Sequence, residues 1–137
     1  MNFTLEQVMT EFPHTIQGDQ TADAAHAMLV RYGVRHLPVE HSGQIVGVLS
    51  ERDLNLALSP NGRGAGKTTA LALCSRPAYM VDKREPLAPV LRTMAERRYG
   101  CVLVSDGGKL AGIATAADLF RWMAAWLERD SQQRRYA

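Results

Sequence analysis

The chain has 137 residues, 46% of them hydrophobic and 22% charged, with a formal net charge of +2; this excludes long disorder, and the interspersed acids and bases argue against a phosphate-backbone binder. Two cysteines, Cys74 and Cys101, are too few for a disulfide framework and suit a reducing compartment. No window approaches the ~20 apolar residues of a membrane span, and the first residues lack a basic start and an apolar run, so a cytoplasmic protein that avoids membranes is expected.

In chain order, Thr4 and Gln7 have the spacing of a capping box and predict one short helical turn, which Pro13 ends. Residues 14–17 form a brief extended segment, and Gly18-Asp19-Gln20-Thr21 is turn chemistry that leads into a helix. Over 22–32 the apolar residues Ala25, Met28, Leu29 and Tyr32 fall at helical spacing, and Gly33 is placed to close the helix in a left-handed conformation. Residues 34–39 read as a strand, with Pro38 restricting it to an edge or a bulge. After the turn at 40–43, residues 44–49 complete a hairpin, and Ser50 opens a helix through Asp53, Leu54, Ala57 and Leu58. The unit reads strand, helix, strand, strand, helix.

Residues 59–69 break the composition with glycines and a proline. Gly66-Lys67-Thr68 imitates the end of a phosphate-binding Walker loop. Its first glycine should fall at position 61, which is Asn61, and Gly62 stands one residue too close; with no preceding strand, the segment reads as a linker.

Beyond the linker the pattern repeats. Residues 70–75 give a short helical turn, residues 79–82 a strand, and Pro86 fits the first position of a helix carrying Leu87, Val90, Leu91 and Met94. Residues 99–104 and 109–113 make a second hairpin. At an offset of 65, Gly47 meets Gly112, Ser50 meets Thr115, Asp53 meets Asp118 and Leu54 meets Leu119. The last helix carries Leu119, Phe120, Met123, Trp126 and Leu127 on one face, with Trp122 off that stripe as a second packing face or a subunit contact; the polar residues from 129 onward are expected to fray. The division is therefore repeat 1 over 1–58, linker 59–69, repeat 2 over 70–128 and tail 129–137, an α+β fold.

Val8-Met9-Thr10, the stretch 33–39 ending in Leu37-Pro38-Val39, and 43–54 together resemble a cystathionine beta-synthase (CBS) domain, and residues 73–119 resemble the second member of a tandem pair. The resemblance implies β-α-β-β-α repeats packed with pseudo-twofold symmetry, two clefts between them, and association into a homodimer. It further implies a stand-alone regulatory module that senses an adenosine nucleotide (AMP, ADP or ATP) in the inter-repeat cleft and acts with an effector protein. A ligand-free dimerisation module and an S-adenosylmethionine sensor are the alternatives.

Physical chemistry supports the same residues. A helix N-terminus presents amide hydrogens and partial positive charge to a phosphate. Ser50 and Thr115 stand there as hydroxyl donors, and Asp53 and Asp118 offer acceptors to ribose hydroxyls. Gly47 and Gly112 permit a close approach of another backbone or a ring. By resemblance, Ile16, Val81, Leu37 and Val102 line an adenine slot. Arg35 and His36 face Gly100 and Cys101 at the repeat offset, and Glu51 faces Ala116, so the two sites differ. Ser-x-x-Asp and Thr-x-x-Asp are also plain capping boxes. The histidines and cysteines lack metal-ligand spacing, and no catalytic set is seen, so no enzyme and no required cofactor are expected. Arg129, Arg134 and Arg135 leave a nucleic-acid reading that steep salt dependence would reveal.

Overall fold

The computed structural model describes residues 2–59 and 65–136. A 3-10 turn at Leu5–Gln7 is followed by β1 (Thr10–Glu11), β2 (Ile16–Gln17), α1 (Ala22–Tyr32), β3 (His36–His41), β4 (Gln44–Ser50) and α2 (Glu51–Leu58). Then come a second 3-10 turn (Ala65–Lys67), α3 (Ala70–Leu73), β5 (Met80–Asp82), α4 (Leu87–Arg97), β6 (Cys101–Asp106), β7 (Lys109–Thr115) and α5 (Ala116–Tyr136). Asn61 and Gly62, on which the Walker comparison turned, lie outside the described residues. No helix among the described residues is long and apolar enough to cross a membrane.

The chain divides into two compact units, one formed by residues 1–12 with 80–137 and the other by 13–79. Each is therefore completed by the leading segment of the other sequence repeat. In the first of these, β1 pairs antiparallel with β7 (Thr10 opposite Ile113), giving a sheet of order β1-β7-β6-β5. The other has a sheet of order β2-β3-β4, and Val48 of β4 exchanges both backbone hydrogen bonds with Ser75 at 3.1 and 2.9 Å. Within the units the duplication is carried into register: His36 opposite Ser50 recurs as Cys101 opposite Thr115, and Val39 opposite Gly47 recurs as Val104 opposite Gly112. Both hairpins shift register just after that pair, at Val39/Glu40 and Val104/Ser105.

Of the edge or bulge expected at Pro38, the edge is not found, since β3 is the middle strand of its sheet, while the register shift at Val39/Glu40 lies one residue beyond the proline. Its partner Val48 turns both amide groups away, towards Ser75, so that pair forms no ladder bonds for a proline to break. On the other side β2 first pairs one residue later, Ile16 with Val39.

The core of the 13–79 unit joins Ile16, Ala22, Ala25, Leu29, Leu37, Val39, Leu49, Leu54 and Ala70. Helix α1 starts where Thr21 accepts a hydrogen bond from the Ala24 amide and ends at Gly33 (φ 63), as its sequence predicts. Its counterpart α4 starts after Pro86, which is the cap residue instead of the first helical one, and ends at Arg98 with φ 58, a left-handed residue with no glycine to ease it.

Helix α5 corrects two expectations. It runs unbroken to Tyr136, with an i,i+4 pair between Arg134 and Asp130 at 3.1 Å, so residues 129–136 are helical where a tail was expected. Leu119, Trp122 and Trp126 face inward, the two indoles packing edge-on against Phe3 at 4.8 and 6.2 Å. Leu119 and Trp126 of the expected stripe are thus packed and Trp122 serves as the further packing residue, but Phe120, Met123 and Leu127 are exposed, because Phe3 takes the side that the two indoles share.

Candidate functional site

The turn from β4 into α2 realises the capping box. Ser50 Oγ accepts from the Asp53 amide at 3.1 Å, and Asp53 Oδ2 accepts from the Ser50 amide at 3.3 Å. The Glu51 amide donates to the Arg35 carbonyl at 2.8 Å. This cap does not exhaust the groups that a ligand would use. Ser50 accepts with a lone pair and keeps its O–H to donate. The Arg52 amide is the remaining first-turn donor, and among the described residues Asp53 Oδ1 takes no hydrogen bond. Capping and binding are thus compatible at this junction.

An open cavity of about 500 Å³ lies beside the cap, lined by Arg35, His36, Ser50, Glu51, Arg52, Asn55 and Leu56. Arg35 and Glu51 form an ion pair at 3.6 Å, and Arg52 has no ion-pair partner among the described residues. Of the residues expected from sequence, Arg35, His36 and Ser50 meet in this wall, with Asp53 behind it holding the cap. Asn55 and Leu56 were not foreseen. Their signal was the helical period: with Arg52 they form the face of α2 opposite the buried Leu54 and Ala57.

The second junction repeats the geometry with a different ending. Thr115 Oγ1 accepts from the Asp118 amide and Asp118 Oδ2 from the Thr115 amide, both at 3.1 Å. Asp118 Oδ1 is also engaged, by Arg121 Nη2 at 2.7 Å. Burial, the largest single influence, pushes the Asp118 carboxyl up, but the hydrogen bonds from Thr115 and the Arg121 guanidinium together outweigh it and hold the group below its ordinary value of 3.8. A carboxyl that titrates lower folded than unfolded contributes stability above its unfolded value and loses it as pH falls through its folded value. Asp118→Asn, which keeps an acceptor for the cap, should therefore lower the urea midpoint near neutral pH, and the gap should narrow progressively as pH falls below 3.8. A gap that does not change with pH would contradict this role for the charge.

Gly47 and Gly112 are buried, and the backbone that approaches each is the chain's own: residues 74–76 lie against Gly47, and Met9 and Thr10 lie against Gly112. Ile16 is 2% exposed and Leu37 and Val102 are fully buried within their sheets, while Val81 is partly exposed on β5. Among the described residues no cluster of His, Cys, Asp or Glu could hold a metal. Both cysteines are free, and burial pushes the Cys101 thiol up to about 12, so it is a packed apolar group, not a nucleophile.

These features define a duplicated α+β protein in which each closing strand delivers a hydroxyl–carboxylate cap to a helix tip. The CBS domain family model matches residues 5–60 and 70–125, and the chain belongs to that family. It is 36% identical over 109 residues to UPF0053 protein Mb2387c of Mycobacterium bovis, covering 76% of this chain and 24% of that protein, so the chain spans about a quarter of that relative's length. Among solved structures, the CBS domain pair of MJ0100 in complex with 5′-methylthioadenosine and S-adenosyl-L-methionine matches with a TM-score of 0.80 at 23% identity, covering 91% of this chain and 98% of that one. CBSX2 in complex with AMP matches with a TM-score of 0.77, also at 23% identity, covering 90% and 97%.

Proposed function

We propose that the chain is a regulatory, non-catalytic CBS-pair module of the cytoplasm that binds an adenosine nucleotide of the AMP, ADP or ATP class through its strand–helix junctions and signals to an effector protein. The observation that carries this reading is the first junction, where the Ser50 hydroxyl proton, the Arg52 amide and Asp53 Oδ1 remain available beside a cavity lined by two guanidinium groups. The first phosphate would take the helix tip with Ser50 and Arg52, any further phosphate would approach Arg35, and the ribose hydroxyls would take Asp53. Thr115 and Asp118 offer a second, more encumbered copy. The adenine would lie along the strand backbones near Ile16 and Leu37, with Val81 and Val102 as their repeat counterparts. The adenosyl ligands of MJ0100 and CBSX2 support the ligand class.

A thermal-shift panel of adenosine, AMP, ADP, ATP and S-adenosylmethionine tests it. A ligand at about a hundred times its Kd adds roughly 2.7 kcal/mol to the folded state, a rise of several degrees in Tm. A flat response to every ligand would retire the sensor reading. The exposed Phe120, Met123 and Leu127 stripe on α5 supports a homodimer, and a ligand-free dimerisation module is the second reading. A dimeric mass by light scattering together with flat melting would favour it.

A further inference from the structure

Resting on the nucleotide reading above, we infer that Glu51 is a specificity-determining residue that makes the first junction favour an adenosine monophosphate over a triphosphate. Three cavity residues carry formal charge at neutral pH, Arg35, Glu51 and Arg52, and together they leave a single net positive charge. Glu51 is the first residue of α2, so its carboxylate stands at the helix tip where a phosphate would sit. It is already paired with Arg35 at 3.6 Å, the two side chains being 49% and 82% exposed.

Two consequences follow from that placement. Each further phosphate of a polyphosphate brings more negative charge towards the Glu51 carboxylate and meets like-charge repulsion. Glu51, 3.6 Å from the Arg35 Nε, also offsets part of the positive charge that Arg35 would present to a second phosphate. A monophosphate can use the Ser50 hydroxyl, the Arg52 amide and the Arg52 guanidinium and leave the Arg35–Glu51 pair standing. The second repeat has no such device, because Ala116 occupies the equivalent position.

Calorimetric titration of adenosine, AMP and ATP into wild type, Glu51→Gln and Arg35→Gln tests this. Wild type should bind AMP more tightly than ATP. Glu51→Gln, which keeps the shape and removes the charge, should narrow the AMP-to-ATP ratio by about fivefold or more at low salt, chiefly through a gain in ATP, and leave uncharged adenosine unaffected. Raising the ionic strength should shrink the difference between variants. Arg35→Gln should weaken ATP more than AMP, because it leaves Glu51 without its counter-charge. An AMP-to-ATP ratio that is the same in wild type and Glu51→Gln, or tighter ATP binding in wild type, would overturn the role of Glu51 with the nucleotide site intact. Failure of all three ligands to bind would instead overturn the nucleotide reading itself.

Discussion

Gly47→Ala should destabilise the protein by about 2 to 4 kcal/mol and lower its Tm by roughly 10 °C, while Gly112→Ala should cost about half as much or less. The two glycines occupy the same register position in the two hairpins, yet their neighbours differ. A Cβ on Gly47 would meet the Ser75 carbonyl oxygen at 2.5 Å, the Cys74 Sγ at 2.8 Å and the Arg76 Cγ at 2.9 Å. Ser75 cannot withdraw cheaply, because its amide and carbonyl are both bonded to Val48 next door. A Cβ on Gly112 would meet Met9 Sδ at 2.5 Å and the Thr10 oxygen at 2.9 Å. The nearest obstacle there is the flexible end of a methionine, which can turn aside at little cost. Paired urea and thermal melts of the two variants decide the matter. Equal losses would mean that the closing segments around 9–10 and 74–76 are equally free to move, against this account.

The repeat was legible in the sequence because a hairpin writes its own register: Gly47, Ser50 and Asp53 have their partners at one offset, and every cross-strand pair of β3 and β4 recurs in β6 and β7. The close approach at Gly47 and Gly112 was legible as a need for space, but not as a need for space for this chain's own backbone. A two-residue strand such as β1 has no periodicity, and its pairing with β7 bridges about a hundred residues. Nothing local therefore signals that each unit borrows the other repeat's leading segment. Helix α5 misled for a different reason. Phe120, Met123 and Leu127 keep helical spacing as well as Leu119, Trp122 and Trp126 do, and the choice rests on Phe3, far away in sequence. Arg98 likewise closes α4 in the left-handed region, where only a glycine would have announced the end. At the candidate site, the motif residues were readable as a cap with spare donors. Which spare groups survive folding was not, because Arg121 reaches Asp118 whereas among the described residues no equivalent cation reaches Asp53 Oδ1.

That difference sets the largest functional effect expected. Asp53→Asn should weaken adenosine-nucleotide binding by about 10- to 100-fold, because two ribose hydroxyls would lose charge-assisted hydrogen bonds to a carboxylate. Asparagine retains an oxygen to accept from the Ser50 amide, so the cap survives and the unliganded Tm should stay within a few degrees of wild type. Asp118→Asn should change the same affinity by less than about threefold, since a ribose there must first displace Arg121 from its 2.7 Å bond to Oδ1, and the competing guanidinium forfeits much of what the sugar would gain. Arg121→Ala should then free the second carboxylate and raise the number of nucleotides bound per chain at high ligand concentration. Calorimetric titration of the three variants against wild type yields both affinity and stoichiometry. Loss of binding in Asp118→Asn with Asp53→Asn unaffected would assign the ligand to the other junction. Undiminished binding in both would mean that the carboxylates only cap their helices, and that whatever adenosine ligand is held owes nothing to them.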